Sequence, residues 1–175
     1  NNGNTGIYLG PDPAAGQTKH LHSVQLVSTS AGNPPALYVL CDYLLFYPLI
    51  DGDNDLLQEM VNDTASLPRY TDGDGVQLML VCTIPSATIV TGSIGYTNSA
   101  GVAGRSTAFS VQAGLNVGMI CSSSSTAGVV AARSPFIPLQ KADFGIRSVQ
   151  DITFAAGVPG GFFAIVLVKP LAHIQ

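Results

Sequence analysis

The groups with which this chain of 175 residues could do chemistry are carboxylates, imidazoles and thiols. Asp51, Asp53 and Asp55 alternate in DGDNDLLQE, with Glu59 four residues further on. Alternate carboxylates in a tight loop are how hard cations such as calcium are held. An EF-hand loop beginning at Asp51 would need glycine at position 56 and glutamate at 62, but Leu56 and Asn62 stand there. A looser site that adds Asp72 or Asp74 stays open. Its competitor is structural, because Asp-Gly and Asn-Asp form turns and caps, and acids at a helix start are favoured by its dipole. His20 and His22 would share one face of a strand and could chelate a metal, yet no third ligand is near and His173 stands alone. The chain therefore predicts no metal and no cofactor, with Asp51, Asp53 and Asp55 as the weak candidates.

Nucleophilic chemistry finds less support. Serines abound, but there is no GxSxG elbow, and Gly101–Gly104 lacks the glycine patterns that cradle phosphate. Cys41, Cys82 and Cys121 sit singly in apolar contexts (VLCDY, LVCTI, MICSS), an odd count without a CxxC pair. They read as buried free thiols of a protein made in a reducing cytoplasm. The expectation is a non-enzymatic chain.

The elements that must position these groups are strands. Runs rich in Val, Ile, Tyr and Phe recur between Gly, Ser, Asn and Pro clusters at intervals of about 8–12 residues, the habit of sandwiches and barrels. The expected strands are residues 23–29, 37–47, 76–83, 88–97, 107–111, 117–122, 128–132, 149–155 and 161–169. The fold class is all-β: a single antiparallel β-sandwich over residues 21–175, with an extended N-terminal arm over 1–20. One short helix is predicted near 54–62, where Leu56, Leu57, Met60 and Val61 fall at helix spacing behind a capping Asn54 or Asp55. The run 37–47 is apolar almost throughout, so it needs cover on both faces, and Asp42 within it needs a partner.

Charged residues make up only 10% of the chain, against roughly 25% in ordinary soluble domains. A surface of neutral polar groups loses little on desolvation and suits a subunit packed among neighbours. The net charge of −4 hides an asymmetry: residues 1–100 hold nine acids against Lys19 and Arg69, and residues 101–175 hold five basic residues against Asp143 and Asp151. The halves are therefore −7 and +3, which either gives the folded chain opposite poles or cancels if the sheets interleave them. Seven scattered basic residues do not make a nucleic-acid surface. The two most apolar stretches are shorter than the roughly 20 residues of a membrane span. The sequence starts at Asn1 without methionine or a charged-then-apolar leader, so the N-terminus is either processed or not included, and no targeting signal is read.

In LPRYTDGDGV, Pro68 keeps Leu67 out of helix and TDGDG supplies turn residues. Arg69 then faces the densest acids of the chain, either as an internal bidentate clamp or, with Tyr70, as a projection toward a partner. Taken in order, CDYLLFYPLIDGDND, LPRYTDGDGVQLMLV and IGYTNSAGVAGR resemble a recurring pattern in structural proteins of tailed bacteriophages, over roughly residues 37–105. The resemblance implies a virion component, such as a capsid decoration (cement) protein with a jelly-roll β-sandwich, and carries no site map. On that expectation the protein sits on the capsid surface of a virion assembled in the host cytoplasm. Its partners would be the major capsid protein or other virion proteins and further copies of itself, with a trimer favoured. Arg69, Tyr70, Arg105, Ile7 and Tyr8 are the candidate contact residues. A tail, neck or fibre-base component is the alternative location, and a calcium- or carbohydrate-binding module the alternative class.

Overall fold

Seven strands follow one another without an intervening helix among the residues that the computed structural model describes, namely 14–18, 20, 38–61, 66–85, 88–121 and 134–174. They are β1 (Tyr38–Asp51), β2 (Gln58–Glu59), β3 (Gln77–Ile84), β4 (Val90–Asn98), β5 (Arg105–Val111), β6 (Ile146–Phe154) and β7 (Phe162–Ile174). The chain divides into two compact units, Asn1–Ala36 and Leu37–Gln175, and all seven strands belong to the second. Of the first unit, the described part is a turn in which the Gln17 amide donates to the Ala14 carbonyl. Ile7, Tyr8, most of the expected arm and the expected strands 23–29 and 128–132 lie outside the described residues.

The strands form two antiparallel sheets with orders β1-β7-β3 and β2-β6-β4-β5. The far side of β3 is met by residues 118–121, through one bridge between Val81 and Ile120 and backbone bonds from Cys121 to Leu80 and from Cys82 to Met119. Successive elements pass from sheet to sheet: β1 to β2, β2 to β3, β3 to β4, β5 to the 118–121 segment, and β6 to β7.

Alternation decides which side chains face inward. Leu78, Leu80 and Cys82 of β3, Ile94 and Tyr96 of β4, and Phe163, Ile165 and Leu167 of β7 are buried, and they join one core with Val149, Ile152 and Phe154 of β6. Phe154 links the two sheets, with its ring 5.5 Å from that of Phe109 at 89° and 5.5 Å from that of Phe163 at 39°. Tyr47 crosses the same core. Its hydroxyl accepts from the Val149 amide at 3.0 Å, where a shift in the β4–β6 register takes that amide out of the ladder.

Two expectations change. No helix forms over Asn54–Val61: Gln58 and Glu59 pair with Ile152 and Asp151 as β2, and Leu56, Leu57 and Val61 are exposed. The reason is competition for backbone groups. Asn54 Oδ1 accepts the Leu56 amide and the Gln58 side chain takes the Asp51 amide and carbonyl, so a helix too short to stand alone loses to local caps and a sheet edge. The run 37–47, in turn, is not covered on both faces among the described residues, since Tyr43 and Phe46 are exposed. Among the described residues β1 pairs with β7 only, and the strand buried on both faces is β7, where Ala164 and Val168 are buried along with the inward row.

Candidate interface

The LPRY corner begins with an arginine committed to its own chain. Arg69 Nε meets Asp42 Oδ2 at 2.7 Å and Nη2 meets Asp42 Oδ1 at 2.5 Å, while Nη2 also donates to the Tyr43 carbonyl at 3.0 Å. The planar fork thus fixes the loop to β1 and supplies the partner that Asp42 required. In so exposed a place the pair contributes about 1 kcal/mol or less. Tyr70 follows with a left-handed backbone, φ 62 being the corresponding value at Leu49 and 52 at Tyr70 itself. The Lys169 ammonium lies 5.2 Å over the Tyr70 ring and donates to the Asp74 carbonyl, which binds the loop to β7 as well. The far side of the loop closes on residues 144–147: the Gly75 amide donates to the Phe144 carbonyl at 2.9 Å, and Arg147 donates to the carbonyls of Asp72 and Ser99. Of the expected contact pair, Arg69 is turned into a clamp and Tyr70 keeps part of its ring in solvent.

Arg105 is likewise drawn inward, by a group that sequence reasoning missed. Asp143, whose side chain is only 4% exposed, accepts from Arg105 Nε at 2.9 Å, from the Tyr96 hydroxyl at 2.5 Å and from Asn98 Nδ2 at 2.7 Å. The Gln140 amide donates to the Tyr96 oxygen at 2.8 Å, completing a network that joins β4, β5 and the segment before β6. Burial pushes the Asp143 pKa up, but the hydrogen bonds from Tyr96, Arg105 and Asn98 outweigh it and hold the carboxyl below its usual range. Burial and then the Asp143 hydrogen bond raise the Tyr96 phenol, so it stays a donor at neutral pH. A depressed folded-state pKa contributes stability that is full above the unfolded value of about 3.9 and is lost as the pH falls from there through the folded value. The melting temperature should therefore drop on acidification below about pH 4, and Asp143→Asn should flatten that acid limb. Melting curves across pH for both proteins check it, and superimposable profiles would remove Asp143 from the account.

The acids at the other end of β1 serve as acceptors for backbone. Asp51 Oδ1 takes the Asp53 amide at 3.0 Å, and Asp53 Oδ2 takes the Gly160 amide at 3.1 Å. The Gly52 amide donates to Gly161 and its carbonyl accepts from Val158, which lays the β1–β2 connection against residues 158–161. No Cβ fits at Gly52, where it would stand 2.6 Å from the Gly161 oxygen and 2.9 Å from the Phe163 ring. Asp55 is exposed, and among the described residues no three of His, Cys, Asp and Glu come together as a group able to hold a metal. His20 is exposed, His22 lies outside the described residues and His173 is on β7.

The cysteines are free, with Cys82 and Cys121 buried and Cys41 half-buried. Burial raises all three thiols, and Cys121 is pushed up to about 12 by burial and then by the neighbouring Cys82, so its reactive thiolate is scarce at neutral pH.

Part of what the geometry presents outward is apolar. Tyr38, Tyr43, Phe46 and Leu49 on β1, Leu56 and Leu57 beyond it, and Val102 and Phe144 at the opposite end are all substantially exposed. Compared with protein families, curated proteins and solved structures, the chain matches none.

Proposed function

We propose that this chain is a non-enzymatic structural subunit of a tailed-phage virion, a decoration (cement) protein that sits on the outer face of the capsid and stabilises it by contacts across subunit junctions. The observation that carries the reading is the pairing of a rigid double sheet with apolar residues left outside it. Leu49, Leu56 and Phe144 are 83%, 72% and 75% exposed, in a chain with only 10% charged residues. Leaving such groups in water costs a free monomer and benefits an assembled one. The jelly-roll form is supported by strand order. With the 118–121 segment as the fourth member beside β3, the orders β1-β7-β3-(118–121) and β2-β6-β4-β5, linked by repeated passage between sheets, are those of two interleaved Greek keys. Jelly rolls are a recurrent architecture of viral capsid and lectin domains, and the sequence resemblance favours the first.

Repetition over a lattice allows modest individual contacts to suffice, because each bound subunit raises the effective concentration of the next contact. Mixing the purified protein with phage heads that lack it, and sedimenting them, is the test. Saturable binding at a fixed copy number per particle is the expected result, and protein left wholly in the supernatant would count against the reading. Electron microscopy of labelled virions distinguishes the head from a tail, neck or fibre-base position.

A further inference from the structure

We propose that the β1–β2 corner, where Leu49, Leu56 and Leu57 stand exposed among Asp51, Asp53 and Asp55, docks onto the opposite end of a second copy of this chain, where Phe144, Val102 and Lys141 are exposed. The inference deepens the assembly reading and rests on it, by naming one surface and its occupant.

Leu49 is the first ground. It lies in the register shift of β1 between Tyr47 and Ile50, its φ is +62, and its side chain is 83% exposed. A left-handed backbone disfavours any residue with a Cβ and an exposed place disfavours leucine, so the isolated fold would be better served by glycine on both counts. Strain combined with apolar exposure is what a contact residue shows before its partner arrives. The corner is also held in advance of contact. The Gln58 side chain is bonded to the Asp51 amide at 2.9 Å and to its carbonyl at 2.8 Å, and the Gly52 amide is tied to Gly161 at 2.8 Å. Binding there orders little that is not already ordered.

Charge selects the occupant. The described residues of this corner carry Asp51, Asp53, Asp55 and Glu59 and no lysine or arginine. A symmetric contact between two such corners would set carboxylates against carboxylates. The other end holds Arg69, Arg105, Lys141, Arg147 and Lys169 against Asp42, Asp72, Asp74 and Asp143. These sum to +1 against −4 at the corner; most are engaged with one another or with backbone, while Lys141 and Asp74 are exposed and enter no ion pair among the described residues. Beside it, Phe144 is 75% and Val102 51% exposed, which gives an apolar patch with a cation to meet an apolar patch with acids. Asp42 at one end and Asp51 at the other are nine steps apart along β1, at most about 30 Å of strand. One copy therefore cannot join its own ends, and the contact is head-to-tail, the type that closes into rings or runs on as a filament according to its rotation.

Sedimentation velocity of the full chain over a concentration series tests this, with the double variant Leu56→Asp/Leu57→Asp for the corner and Phe144→Asp for the opposite end. The wild type should self-associate, weaken in about 0.5 M salt, and lose about tenfold or more in affinity in either variant. Mixing the two variants should restore one good interface and give dimers and nothing larger, because each retains the end that the other lacks. Leu49→Gly keeps the test independent of folding: it should melt at the same or a higher temperature and yet associate more weakly. A monomeric wild type, unchanged association in the corner variants, or a variant mixture that stays monomeric would each overturn the proposal. Heads that bind a strictly monomeric protein would overturn this surface and leave the capsid reading standing, whereas self-association through the corner without binding to heads would do the reverse.

Discussion

Phe154→Ala is expected to cost about 3–5 kcal/mol of folding stability. Domains of this kind have a total of only about 5–15 kcal/mol, so the variant should be marginal at room temperature. Phe154 is buried between Phe109 of its own sheet and Phe163 of the other, at 5.5 Å from each. Truncation removes the transfer free energy of the ring and leaves a cavity that two hydrogen-bonded sheets can close only in part. The edge-to-face contact with Phe109 adds about 0.5–1.5 kcal/mol beyond the area buried. Gly92 shows how tightly that region is filled, since a Cβ there would run into the Phe109 ring and the Thr153 carbonyl. Urea denaturation should show a lower midpoint with an unchanged slope. The same change at the exposed Phe144 should leave monomer stability within about 0.5 kcal/mol. Equal losses at the two positions would mean that Phe154 does not join the sheets as described.

The second large effect is expected at Gly145, for a reason of backbone and not of core. Gly145 bridges Asp74, its carbonyl accepts the Ser99 amide at 2.8 Å, and a Cβ on it would collide with the Gly73 carbonyl and come within 2.8 Å of the Gly75 amide. Neither obstacle is a flexible side-chain end, so Gly145→Ala must displace one of three converging segments at a cost of about 3 kcal/mol. The damage should be local. Arg147 on the Ser99 and Asp72 carbonyls, Lys169 on Asp74 and the exposed Phe144 all depend on that corner, while Phe154, at the far end of β6, packs on Phe109 and Phe163. Hydrogen exchange should therefore show lost protection at Gly75 and Ser99 before β3 and β7 are affected. Protection lost uniformly across both sheets would contradict this division.

Much of the all-β architecture was legible because its signals are short-ranged. Leu78, Leu80 and Cys82 alternate with half-buried residues, and the β3 to β7 runs lie close to their predicted positions, with bounds shifted by a few residues at bulges and strand ends. The TDGDG segment read as a turn for the same reason, since Gly73 and Gly75 have φ of 73 and 65 and supply conformations that other residues adopt at a cost. The misread helix at 54–62 shows the limit. Helical spacing of Leu56, Leu57, Met60 and Val61 is a local pattern, but Gln58 and Asn54 capture the backbone groups and β6, about 90 residues away, offers a ladder.

The candidate surface was less legible than the sheets. Arg69 had an internal clamp among its readings because it is dense with nearby acids, yet its partner is Asp42, 27 residues back, and not one of the Asp51–Asp55 group. Asp143 carried no signal, since in KADFG it reads as a solvated loop acid beside Lys141, whereas Arg105, 38 residues away, is its cation. The −7 and +3 halves of the chain do not fold apart, because β7 lies between β1 and β3 and β6 lies between β2 and β4. Among the described residues a pole survives at the β1–β2 corner, where Asp51, Asp53, Asp55 and Glu59 lie close in sequence and no lysine or arginine intervenes.

The sequence by itself determined that the chain forms strands and turns, that its thiols are free and that its surface is poor in charge, because composition and alternation act over a few residues. Only the tertiary structure decided that β1 pairs on one side alone among the described residues, with Tyr47 inward and Tyr38, Tyr43 and Phe46 outward, that Asp143 is a hub, and that Leu49, Leu56 and Leu57 stand exposed beside Asp51, Asp53 and Asp55. Those outcomes depend on which segments meet after closure over tens of residues, a choice made by the whole core that no local period encodes.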